Sequence, residues 1–175
     1  RWLELTEKIK RLSSWRNDEE RSAYLEKLFR DRRLILEAAE NKVAALEKLL
    51  SRGLISGIHH TLIYTTDKDP NQLREVNNIL RDRGALFHQL TADETQNKRL
   101  MRSILQTFRS GEIKILTAKR VLDEGVNVPE IETAYILAST TLERQWVQRR
   151  GRVLRKCRDT NKEFATIHDF LVLPP

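Results

Sequence analysis

The hydrophobic period of this chain changes once, and that change limits what it can fold into. Residues 1–52 contain neither Gly nor Pro and are dense in Leu, Ala, Glu, Lys and Arg, so they read as helix throughout, with interruptions near Ser13-Ser14 and Asp31. Asn17 followed by Glu20 has the spacing of a capping box and opens a helix through Tyr24, Leu25 and Leu28. Leu36, Ala39, Val43, Leu46 and Leu50 recur at intervals of three and four, one apolar stripe that Gly53 ends. The stripe is too short for a sustained heptad series, so a packed helical hairpin is expected rather than a coiled-coil arm.

From Ile58 onward short apolar runs alternate with helical stretches that carry their own start and stop residues. The expected strands are residues 60–65, 85–90, 114–117, 133–137 and 163–167. Asp69-Pro70 with Gln72 begins one helix that Gly84 ends, and Thr91 with Glu94 begins another that Gly111 ends. A further helix follows Thr140-Thr141. Connections of this length favour an α/β fold, a doubly wound and mostly parallel sheet of about five strands. The expected organisation is a helical linker or extension over 1–52 and an α/β domain over 53–175. Ligands of such sheets collect at the carboxyl ends of the strands, which directs attention to residues 65–69, 90–93, 118–129 and 138–141.

A length of 175 residues lets one domain bury most of its apolar surface without metals or disulfides. The single Cys157 excludes an internal bridge and suits a reducing compartment. No apolar run approaches the roughly 20 residues that span a bilayer, and Arg1-Trp2-Leu3-Glu4 lacks the apolar core of a signal peptide. A cytoplasmic location, or a nuclear one in a eukaryote, is expected. His59-His60 has no Cys or acid at ligand spacing in the sequence, so no metal site is expected. No phosphate loop of the form GxxxxGK[ST] occurs, and none of the acid pairs Asp18-Glu19, Asp93-Glu94 and Asp123-Glu124 closes a strand as a magnesium-holding pair would.

Charge is distributed unevenly. The chain has 32 Lys and Arg against 25 Asp and Glu, a net charge of +7, which suggests an anionic partner such as nucleic acid or phosphate. Between Arg144 and Arg158 lie Arg144, Arg149, Arg150, Arg152, Arg155, Lys156 and Arg158 with no acid among them. These residues equal the whole surplus. On a helix turning about 100° per residue, Gln148, Arg152 and Arg155 fall on one face and Arg144 extends it by a turn. Val147, Gly151 and Leu154 lie roughly a quarter-turn away. Gly151 inside a helix costs about 1 kcal/mol relative to Ala but permits close approach to a packing partner. Such a stripe presents planar, permanently charged forks to phosphate oxygens, or it is a solvated basic face. Spacing alone does not decide between the two. Upstream, Val121 to Pro129 reads VLDEGVNVP, where Gly125 permits a tight turn and Asn127 supplies an amide able to meet a hydroxyl. Taken alone, that segment is an ordinary turn.

Together these segments resemble the C-terminal motifs of superfamily 2 helicases. Residues 121–129 resemble motif V, QRRGRVLR at 148–155 matches the QRxGRxxR form of motif VI, and TLIYTTD at 61–67 is similar to motif IV. The resemblance covers about residues 58–170 and is closest to XPB-like repair helicases and the motor subunits of restriction and defence systems. It implies a RecA-like second lobe, with ATP clamped against a first lobe of the same polypeptide that supplies the phosphate loop and holds Mg2+. By position, Arg152 and Arg155 would be arginine fingers reaching the γ-phosphate, where such a residue is worth roughly 10³ or more in rate. Gln148 would lie beside the γ-phosphate. Gly125 and Asn127 would face the ribose, Asn127 standing where many relatives carry Asp. Thr65, Thr66, Lys119 and Arg120 would border a nucleic-acid track, contacting backbone phosphate without reading sequence. Lys119 replaces a Thr frequent in related RNA helicases, and the branch resemblance leans toward DNA over RNA.

The expected function is therefore the second motor lobe of an ATP-dependent helicase or translocase, inactive alone because it supplies half of an ATP site. Two alternatives stay open at this point. One is a non-catalytic module with a helicase-like fold that grips nucleic acid or a partner. The other is a different doubly wound nucleotide-binding enzyme, such as a sugar transferase, which would bind nucleotide tightly by itself.

Overall fold

A computed structural model describes residues 1–13, 19–52, 57–66, 69–119, 128–138, 157 and 162–173. Two helices open the chain, α1 (Trp2–Ser13) and α2 (Glu19–Glu37), and they pack on each other. The guanidinium of Arg32 on α2 lies 5.6 Å from the ring centroid of Trp2 on α1 and 5.4 Å from that of Phe29, a cation–π tie between the two helices. The expected interruption near Asp31 does not occur, because one Asp costs a helix interior only a few tenths of a kcal/mol. The break falls at residues 38–40 instead, inside the stripe expected to be one helix, where Lys42 and Val43 donate to the carbonyls of Ala39 and Glu40. There α3 (Asn41–Arg52) begins. The Asn17–Glu20 capping box and Gly53 lie outside the described residues.

The sheet has five strands, β1 (Thr61–Thr65), β2 (Phe87–Leu90), β3 (Ile115–Lys119), β4 (Thr133–Ile136) and β5 (Thr166–Asp169), in the order β2-β3-β1-β4-β5. All four pairings are parallel. The first four strands fall inside or within two residues of their expected ranges, whereas β5 starts three residues later than expected. The glycines stop helices as anticipated. Gly84 at φ 66° follows α4 (Pro70–Asp82), and Gly111 at φ 83° follows α6 (Lys98–Arg109), a left-handed conformation that only glycine adopts without cost.

Two local expectations change. The single helix expected from Thr91 to Gly111 is two, α5 (Ala92–Gln96) and α6, because the side chain of Asn97 accepts from the amides of Arg99 and Leu100 and starts a new helix. At α4 the carboxylate of Asp69 accepts from Asn71 N at 2.9 Å, as a cap should. Gln72, the expected second half of that capping box, reaches elsewhere.

Alternation along the strands divides the core between the two faces of the sheet. On one face Leu62, Tyr64, Leu116, Ala118, Ala134 and Ile136 pack with Met101, Ile104 and Phe108 of α6. On the other, Ile63, Ile115 and Leu137 pack with Val76 and Leu80 of α4 and with Val43, Leu46 and Leu50 of α3. Each such side chain contributes about 1.5–3 kcal/mol when fully buried. Helix α3 is thus part of this core. Beneath α4, Thr117 donates to Asn77 Oδ1 at 2.8 Å, and Asn77 Nδ2 donates to Gln89 Oε1 at 2.9 Å, which satisfies the buried hydroxyl.

Candidate functional site

Parallel strands present all their carboxyl ends on one edge, and most of the described candidate residues gather there. Thr65 and Lys119 are register partners at the ends of β1 and β3. Thr65 is fully buried, and its hydroxyl donates to the carbonyl of Ala118 at 3.3 Å. Thr66 is 2% exposed, and its amide donates to Gln72 Oε1 at 2.9 Å. Both threonines therefore order the strand end rather than present free hydroxyls to solvent, while Lys119 is partly exposed. Arg120, Gly125, Asn127, Gln148, Arg152 and Arg155 lie outside the described residues.

The flanks of the two principal motifs are described, and they meet. Pro129, which ends the segment containing Gly125 and Asn127, accepts a 2.9 Å bond from Lys162 Nζ. Cys157, two residues past Arg155, is buried and forms an antiparallel bridge with Lys162, Cys157 N to Lys162 O at 3.4 Å and Lys162 N to Cys157 O at 3.0 Å. Burial lowers the pKa of Lys162 from its ordinary range, with Cys157, Glu132 and Glu130 opposing. One lysine thus joins Pro129, which ends the first segment, to Cys157, just past the end of the second.

Sequence reasoning missed a second pair of ties at the strand ends. Gln72 is 1% exposed, and while its oxygen accepts from Thr66, its Nε2 donates to the carbonyl of Glu37 at 3.2 Å. Lys42, at the start of α3, is 4% exposed, and its ammonium donates to the carbonyl of Leu137, just past β4, at 2.7 Å. Burial lowers the pKa of Lys42, with the carboxylates of Glu37 and Asp169 opposing. A lysine four residues before Leu46 on the apolar face of a helix was the available signal, since an ammonium there is buried only with an acceptor.

At the amino-terminal end of the sheet, His59 Nε2 and His60 Nδ1 lie 3.1 Å and 3.4 Å from the two oxygens of Glu132. The fold therefore supplies the acid partner that the local sequence lacks. Among the described residues no group of three or more His, Cys, Asp or Glu could hold a metal ion. No helix among them is long and apolar enough to cross a membrane.

A doubly wound parallel sheet whose carboxyl edge carries these strand ends, in a chain that places VLDEGVNVP and QRRGRVLR after β3 and β4, defines the class: a RecA-like lobe of a helicase. The family described as "Helicase conserved C-terminal domain" matches residues 41–157, and the chain belongs to that family. The match begins at the start of α3. Over 53 residues, 30% of the chain, it is 47% identical to a DNA 3'-5' translocase, XPB2 of Sulfurisphaera tokodaii, and that stretch is 12% of the translocase. The fold is shared with the C-terminal part of the Fun30 ATPase domain, at TM-score 0.59 and 17% identity over 73% of this chain and 40% of that one. It is shared too with the C-terminal domain of the DEAD-box protein Dbp5, at TM-score 0.58 and 17% identity over 78% of this chain and 73% of that one. The chain thus spans a small part of the translocase and less than half of the Fun30 structure.

Proposed function

We propose that this chain is the second motor lobe of an ATP-dependent nucleic-acid translocase or helicase, working against a first RecA-like lobe of the same polypeptide. The observation that carries the reading is the family match over 41–157, which includes both the strand ends at Thr65, Lys119 and Leu137 and the sequence QRRGRVLR. Arg152 and Arg155 act as arginine fingers that stabilise charge developing on the γ-phosphoryl group, and Gln148 lies beside it. Gly125 and Asn127 meet the ribose. The side chains for a phosphate loop and for Mg2+ come from the first lobe, so this chain alone is inactive. When bound, ATP supplies the phosphoryl group whose transfer to water drives movement.

Thr65 and Thr66 take part by fixing the end of β1, and Lys119 and Arg120 offer cations to backbone phosphate. DNA is favoured over RNA because the 53-residue likeness is to a DNA translocase. The motor works in the cytoplasm, or in the nucleus in a eukaryote. The test is ATP turnover by the full-length protein carrying Arg152→Ala or Arg155→Ala. Each is expected to lower turnover by about 10³ or more while leaving the fold intact. Near-normal turnover in both variants would refute the finger assignment.

A further inference from the structure

Lys42 is a buried lysine at the start of α3. Its ammonium is buried and donates to Leu137 O at 2.7 Å. It stands directly after the joint at 38–40, where Gln72 holds the carbonyl of Glu37 and, with its other amide atom, the amide of Thr66. The joint between α2 and α3 is therefore fastened to the ends of β1 and β4 by two buried polar side chains. Of those strands, β4 leads in sequence into residues 139–156, which contain Gln148, Arg152 and Arg155. A methionine of similar volume would avoid the desolvation of a charge but would leave the Leu137 carbonyl without this donor, at a cost of about 1–3 kcal/mol.

We propose that Lys42 is a positioning residue for the ATPase reaction, fixing the point at which the chain leaves β4 toward the arginine-bearing segment. This rests on the motor reading given above. Lys42 touches neither nucleotide nor nucleic acid. It acts by holding the Leu137 carbonyl, so that the segment carrying the fingers departs from a fixed place on the sheet. Because the angle and distance of approach to a phosphoryl group govern rate steeply, loosening that anchor lowers kcat. Phosphate binding by the first lobe sets KM and is left alone.

The experiment compares full-length wild type, Lys42→Met, Lys42→Gln and Arg152→Ala for ATP turnover with and without duplex DNA, together with thermal melting. For Lys42→Met, a melting point within a few degrees of wild type, a KM for ATP within about twofold and a DNA-stimulated kcat at least tenfold lower support the proposal. An unchanged kcat in a folded Lys42→Met protein overturns it, as does a kcat that falls only in step with melting. If Lys42→Met unfolds, Lys42→Gln, which keeps an N–H donor but is too short to reach Leu137 O in the same pose, is read in its place with the same criteria. Unfolding of both assigns Lys42 to the core and overturns the proposal. Arg152→Ala separates the two levels. If it abolishes turnover while Lys42→Met leaves kcat unchanged, the positioning role alone fails; if wild type hydrolyses no ATP, both fail.

Discussion

Lys42 and Leu137 stand 95 residues apart in the chain, yet the lysine ammonium donates to the leucine carbonyl at 2.7 Å. Burial lowers the pKa of Lys42, and Glu37 and Asp169 only partly oppose it. The unfolded chain, with its lysine at the ordinary 10.5, therefore binds more protons than the folded one between the two values. Stability must rise with pH across that window. Urea unfolding of wild type and Lys42→Met from pH 7 to 10.5 should show the difference shifting in favour of wild type as pH rises. A pH-independent difference would refute the buried ammonium.

Helix α3 is expected to be indispensable to the lobe. Leu46 is fully buried among Ile63, Val76, Leu80, Ile115 and Leu137, so Leu46→Ala should cost about 2–5 kcal/mol. A chain beginning at residue 53 should bind a hydrophobic dye and melt without cooperativity, because the apolar surface that α3 covers beside α4 is left exposed. One beginning at residue 38 should melt cooperatively. Equal melts of the two would show that α3 contributes nothing.

Gln72 satisfies Thr66 N and Glu37 O at once. Gln72→Leu keeps most of the volume and strands both backbone groups, which should cost about 1–3 kcal/mol. Hydrogen exchange should detect the loss first at the Thr66 amide. Protection unchanged there would contradict the bond.

The turn from β2 into α5 is held by a reciprocal cap, in which the Glu94 carboxylate accepts from the Thr91 amide at 2.6 Å and from its hydroxyl. Burial opposes ionisation of Glu94, but these bonds outweigh it and hold its pKa below the ordinary 4.5. The stabilisation is present above 4.5 and is lost as pH falls through the lower folded value. Thr91→Ala should cost about 1 kcal/mol at neutral pH. The gap between wild type and Glu94→Gln should close on acidification, and chemical denaturation at pH 7 and pH 3 measures both.

Much of this architecture was legible in the residues themselves. The turn glycines at 84 and 111, the caps at Asp69 and Thr91, and the alternating runs around 61–65 and 115–119 act through contacts a few positions apart, so local sequence suffices to place them. That nearness is why the α/β class, with a mostly parallel sheet, and the helicase-like segments could be read from the sequence. The division of the first 52 residues could not be read in this way. A single apolar stripe from Leu36 to Leu50 looks continuous, but α3 turns away at residues 38–40 because its face is taken by the sheet. Asn97 likewise splits a helix that its neighbours would have continued.

What the sequence determined by itself is therefore the kind of most of the described elements and the family that the motifs spell out, since propensity, capping and motif spacing are local properties. What the tertiary structure decided is which distant groups share a site: Lys42 with Leu137, Gln72 with both Thr66 and Glu37, the two histidines with Glu132, and Lys162 with both Pro129 and Cys157. The physical reason is burial. An ammonium or amide removed from water must find a partner, and only the packed chain determines which backbone atom is within reach.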